Sequence, residues 1–92
     1  MILSFRHKGL KDLFETGRSS AISPELRKRC AQRLALLNRA RNLNALSISG
    51  LDTHPLHGSE PIRYSMSVNR PWRITFEFID RDVYRVDLEQ YH

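Results

Sequence analysis

The chain has 92 residues, 40% of them hydrophobic, with a formal net charge of +5 and a single cysteine. A chain this short encloses one hydrophobic core, which excludes a multidomain enzyme, and its composition is too apolar and too varied for a disordered segment. A lone thiol excludes an internal disulfide, and the apolar run from Met1 to Phe5 is shorter than a secretion signal or a membrane span, so a cytoplasmic protein with no membrane partner is expected.

The charge is unevenly placed. Residues 1–50 carry ten Lys/Arg against three acids, a net of +7, whereas residues 51–92 carry five against seven, a net of −2. Clustered cations attract phosphate and release counterions, so a polyanionic partner such as RNA, DNA or an acidic protein segment is one reading, and an inert solvated basic face is the other.

In chain order, Ile2-Leu3-Ser4-Phe5 reads as a short strand. Lys8 to Thr16 then places Leu10, Leu13 and Phe14 on one helical face before Gly17 stops the helix. Ser23 stands at an N-cap position, Pro24 presets the first turn of a second helix, and Glu25 suits its positive end. Leu26, Cys30, Leu34 and Leu37 form an apolar stripe, with Arg27, Lys28, Gln32 and Arg39 directed away; Cys30 is read as a small buried hydrophobe. Asn42 to Gly50 is a connection with one helical turn near Leu43 to Leu46. From residue 62 the period becomes two. Ile62, Tyr64, Met66 and Val68, then Trp72, Ile74, Phe76 and Phe78, then Tyr84, Val86 and Leu88 mark three strands of an antiparallel meander with one apolar face. The helices are the natural cover for that face, giving an α+β fold. The opposite face, with Arg63, Arg73, Thr75 and Arg85, is expected to stay open to solvent.

Three of the four histidines lie at the ends of elements, where active sites are commonly built. His54-Pro55-Leu56-His57-Gly58 precedes the sheet, and Gln90-Tyr91-His92 follows the last strand. Cleavage of an RNA phosphodiester needs a base for the 2′-OH, an acid for the 5′-oxygen and a cation for the charge gained at phosphorus. Histidine and arginine supply these roles near neutral pH, and a tyrosine stacks on an unpaired base. Each residue has a plainer alternative: His54 and His57 as turn residues, Arg73 as the partner of Glu77 or Glu89 across the sheet, His92 as a frayed end. No carboxylate or thiolate cluster completes a metal site around His54 and His57.

The segments Ser4 to Leu10 (SFRHKGL), Phe14 to Gly17 (FETG), His54 to Gly58 (HPLHG), Tyr64 to Asn69 (YSMSVN), Trp72 to Phe78 (WRITFEF) and the closing Tyr91-His92 resemble, in order and spacing, the HigB toxins of the RelE/ParE superfamily. The resemblance implies a single domain over residues 1–92 with a RelE-like fold: two N-terminal helices packed on one face of a small antiparallel sheet that ends in a C-terminal meander. It implies the toxin of a type II toxin–antitoxin system, an mRNA endoribonuclease that depends on the ribosome, cuts in the A site by metal-free acid/base catalysis and uses no cofactor. The partners implied are a helix-turn-helix antitoxin, the ribosome and mRNA, with operator DNA reached only through the antitoxin complex. Carried over, His54, His57, Arg73, Tyr91 and His92 are catalytic and Gln90 binds substrate; Arg63, from its place on the open face of the sheet, is expected as a further substrate contact. The family usually has Lys where His57 stands, Asp where Gln90 stands and Asn where Pro71 stands. Lysine is a fixed cation and histidine is not, and Gln90 can only hydrogen-bond. A ParE-like gyrase poison and a weakened toxin that only binds its antitoxin are the competing readings.

Overall fold

The period-two pattern produces, in the computed structural model, a four-stranded antiparallel meander in the spatial order of the chain: β1 (His54–Leu56), β2 (Arg63–Asn69), β3 (Trp72–Ile79) and β4 (Asp82–Gln90). The residues described are 1–48, 50–58 and 60–91. Two helices, α1 (Lys8–Thr16) and α2 (Pro24–Arg39), cover the apolar face, and a 3₁₀ turn at Leu43–Leu46 leads toward β1. This is the α+β arrangement expected from the sequence, two helices packed on one face of an antiparallel sheet. No helix among the described residues is long and apolar enough to cross a membrane.

The helices end where their sequences dictate. Gly17 adopts φ +79° and its N–H bonds the Leu13 carbonyl, a left-handed stop that a side chain would strain. At the other end of α1, His7 Nδ1 accepts from Leu10 N at 3.1 Å, a cap made by a histidine. Ser23 does occupy the N-cap of α2, yet its side chain makes no capping hydrogen bond; Pro24 and Glu25 serve that end instead. The 3₁₀ turn is capped by Asn42, whose side chain accepts from Ala45 N at 3.0 Å.

Leu26, Cys30, Leu34 and Leu37 of α2 are buried, as is the strand set Met66, Val68, Ile74 and Phe76, and all belong to one core. Burying a side chain of this size contributes about 1.5–3 kcal/mol, so this layer dominates the stability of the fold. Polar ties reinforce it at the helix edge. Arg29 Nη1 donates to the Val68 carbonyl (3.1 Å) and Asn69 Oδ1 (2.6 Å), and Arg33 Nε donates to the Ser67 carbonyl (3.1 Å). Burial, and Arg29 nearby, hold the Arg33 pKa below its ordinary value.

Four expectations need correction. The strand at Ile2–Phe5 is reduced to two isolated parallel bridges, Ile2 to Val83 and Phe5 to Val86. Its partner is irregular there because Arg85 takes φ +51° and the β3–β4 register shifts between Thr75 and Glu77. That bulge also changes the phase of β4: Val83 and Val86, three apart, are both buried, while Tyr84 pairs with Glu77 on the polar face. Ile62 lies outside β2 and is exposed. Finally, His54–Leu56, read as a loop, is an edge strand paired with β2; an edge is where a proline such as Pro55 is tolerated.

Cys30 is fully buried, and desolvation pushes its thiol up to about 11, with Arg33 pulling weakly the other way. The folded state therefore holds the thiol proton more tightly than the unfolded chain does. The stabilisation is complete below the unfolded value of 9.0 and disappears as pH rises through about 11. Urea unfolding from pH 7 to 11 should show wild type losing stability between pH 9 and 11 relative to Cys30→Ala. Parallel curves for the two proteins would contradict the shift.

Candidate active site

Strand pairing sets two rows of side chains on the face away from the helices. His54 lies opposite Ser65, and Ser65 opposite Thr75; one step along, Ser67 lies opposite Arg73, and Arg73 opposite Glu89. Because directly paired residues share a face, His54 and Arg73 project on the same side of the sheet from different strands.

Arg73 is held at four points. Its Nε donates to Ser65 Oγ (2.8 Å) and its Nη2 to the Asp52 carbonyl (2.5 Å), with a longer contact from Nη2 to the Ser65 carbonyl (3.4 Å). Its Nη1 faces Asp52 Oδ2 at 3.3 Å, an ion pair. The cross-strand partners considered from the sequence, Glu77 and Glu89, are engaged elsewhere: Glu77 by Arg63, and Glu89 by the Thr75 hydroxyl.

Arg73 lines an open cleft of about 560 Å³. His54 and Tyr91 line it together with Arg73, and Asp52, Ser67, Arg70, Pro71 and Trp72 complete the wall. Tyr91 is brought there by its main chain, whose N–H donates to the Pro71 carbonyl at 2.8 Å, and it is 38% exposed. The His54 ring is exposed, with Nδ1 3.3 Å from the Pro55 carbonyl. An imidazole, a fixed cation and a phenol thus share one solvent-open space that admits a phosphate group.

The other sequence-derived residues are placed differently. His57 is exposed on the turn beyond β1 and does not line the cleft; Gln90, the last residue of β4, is exposed opposite Trp72 and is also outside the lining. His92 lies outside the described residues. Arg63 is a correction. Expected on an open face as a substrate contact, it is buried, and its guanidinium bonds Glu77 Oε2 (3.0 Å), Thr75 Oγ1 (2.9 Å) and the Arg85 carbonyl (3.0 Å). The face itself is closed around it, since Ser65 and Thr75 are fully buried and Glu77 nearly so.

Asp52, Ser67, Arg70 and Trp72 escaped the sequence reading. Asp52 falls between the connection that ends at Gly50 and the segment that begins at His54, with no pattern of its own. Trp72 shares the apolar phase of β3 and was read as core; it packs partly against the core and also borders the cleft. Arg70, in a turn between strands, carried only the signal of an exposed cation beside a predicted site.

The family model for "RelE-like toxin of type II toxin-antitoxin system HigB" matches residues 3–92. The chain is also similar to Endoribonuclease HigB of Proteus vulgaris, with 40% identity over 92 residues that span all of both chains.

The position of Arg63 generates a direct test. Arg63→Ala strands the Glu77 carboxylate in the sheet and should destabilise the fold by about 3–5 kcal/mol, read as a fall in the urea midpoint. A variant that melts like wild type and loses only RNA affinity would restore Arg63 as a substrate contact.

Proposed function

The chain belongs to the HigB-like toxins of type II toxin–antitoxin systems, and from that premise we propose that it is an endoribonuclease that cuts mRNA in the ribosomal A site, with the chemistry in the cleft around Arg73. An antitoxin partner follows from the family; a helix-turn-helix antitoxin, with operator DNA bound only through the complex, is the form proposed here. The observation that carries the nuclease reading is the convergence of His54, Arg73 and Tyr91 on one cleft from three separate parts of the chain. The similarity to a protein named as an endoribonuclease supports it.

Such a cleft suits transesterification. The 2′-oxygen attacks phosphorus, the P–O2′ bond forms as the P–O5′ bond breaks, and a 2′,3′-cyclic phosphate remains. A base takes the 2′-OH proton and an acid delivers one to the departing 5′-oxygen. The imidazoles of His54 and His92 fill these roles, Arg73 neutralises the charge gathering on the phosphoryl oxygens, and Tyr91 stacks on or hydrogen-bonds the adjacent base. His57, on its exposed turn, adds a cation when protonated, and Gln90 contributes a hydrogen bond. With so few proton-transfer groups the ribosome is needed to hold the 2′-oxygen in line, since orientation supplies up to about 7–11 kcal/mol of a barrier.

Single-turnover cleavage on programmed ribosomes tests this reading. His54→Ala, Arg73→Ala and removal of His92 should each slow cleavage by about 10²–10⁴; thermal melts should be unchanged for His54→Ala and for removal of His92, whereas Arg73→Ala also strands the buried Ser65 hydroxyl and should lower the melting point, so its rate is read well below that midpoint. His57→Lys, which places a permanent cation on that turn, should raise the rate. Wild-type rates for both His54→Ala and Arg73→Ala would overturn the site. Intact transcripts beside trapped gyrase–DNA complexes in growth-arrested cells would replace the nuclease with a gyrase poison.

A further inference from the structure

Among the described residues lining the cleft, Asp52 alone has a carboxylate side chain, and it meets Arg73 in two chemically different ways. Its carbonyl takes Nη2 at 2.5 Å, while its carboxylate stands 3.3 Å from Nη1 with the side chain 72% exposed. The two contacts differ in how easily they are broken.

The main chain at Asp52 is fixed from both sides. Leu51 is buried and its carbonyl accepts from Ser67 N at 2.6 Å; Thr53 Oγ1 donates to the Leu46 carbonyl at 2.8 Å. Between these anchors Asp52 adopts φ +49°, the left-handed region, which Asp and Asn enter more readily than most residues. The carbonyl is therefore directed at Arg73 by a segment that cannot move without releasing β2 and the 3₁₀ turn. The carboxylate has no such restraint. An exposed ion pair at this distance is weak in water, and it occupies the solvent side of a guanidinium whose other contacts run to Ser65 and the Asp52 main chain.

We propose that Asp52 is a positioning residue with a displaceable latch: its carbonyl fixes Arg73 for catalysis, and its carboxylate holds the site of the scissile phosphate until RNA displaces it. This rests on the cleft being the nuclease site. Binding then exchanges one anion for another at Nη1. Arg73 stays in place and paired when the cleft is empty, and substrate affinity is reduced by the competing charge.

The test uses the full chain with Asp52→Asn, which keeps the shape and the left-handed backbone, and Asp52→Gly, which keeps the carbonyl and relieves φ +49°. Both remove the charge. Affinity is measured on ribosomes programmed with an A-site codon carrying a 2′-deoxy substitution at the cleavage position, and rates on the all-ribose codon. Both variants should bind about two- to fivefold more tightly, the range of an exposed charge pair. The same factor should appear in the half-saturating ribosome concentration rather than in the maximal single-turnover rate. The gain should vanish in an Arg73→Ala background, because the competition acts through that guanidinium. Unchanged affinity in both variants overturns the latch, as does a loss of maximal rate at unchanged affinity, or an equal gain without Arg73. Full cleavage by Arg73→Ala itself would show instead that the cleft is not the nuclease site.

Discussion

A charged side chain inside a sheet must find polar partners, and Arg63 finds them by reaching across three strands. Rooted in β2, it pairs with Glu77 and Thr75 of β3 and the Arg85 carbonyl of β4. The last contact matters most for the architecture. Arg85 sits at the bulge, where the register of β4 against β3 shifts. The bulge in turn lets Val83 and Val86 both face the core, and Val86 receives the N-terminal segment through Phe5. One guanidinium thus secures a distortion on which the chain's first residues depend. Beside it, the row containing Arg73 is left free to line a cleft.

Three arginines of α2 are committed in a similar manner. Arg27, Arg29 and Arg33 bond main-chain carbonyls at Ile22, Val68 and Ser67. Arg27 and Arg33 each donate through Nε, and Arg29 through one Nη to both the Val68 carbonyl and Asn69 Oδ1. The basic face of α2 and the cleft around Arg73 are therefore built from different cations. The cations bordering the cleft, Arg70 and Arg73, come from the acidic half of the sequence.

The elements legible in the sequence were those governed by local rules. Gly17 ends α1, Pro24 opens α2, and the 3₁₀ turn lies at Leu43–Leu46 as its turn formers indicate. The strands showed through alternation. What alternation cannot report is whether a polar face is covered, and so Arg63 was assigned to solvent although neighbouring strands enclose it. Nor does it announce a three-residue edge strand such as His54–Leu56, whose pairing is offered by β2 rather than by its own composition, or a bulge that reverses the phase of Tyr84. At the site, His54, Arg73 and Tyr91 were reached through the family resemblance and the chemistry of their side chains. Asp52 was not, because its importance comes from Leu51 and Thr53 being tied elsewhere, a tertiary fact with no local signature.

The parallel bridges at Ile2 and Phe5 join opposite ends of the chain; Ser4 Oγ accepts from the Arg85 N–H, 81 residues away in sequence. Contacts of such separation close late, since the loop entropy must be overcome before they form. The α1–α2 pair and the β2–β3 hairpin join nearer neighbours and can assemble first. During synthesis, Ile2 and Phe5 stay without their partners until β4 has left the exit tunnel, and the wall of the cleft formed by Tyr91 is laid down at the same stage. A nascent chain consequently carries its core-forming helices well before it carries a finished site, and any truncation ahead of β4 yields a protein that lacks both its N-terminal closure and its cleft.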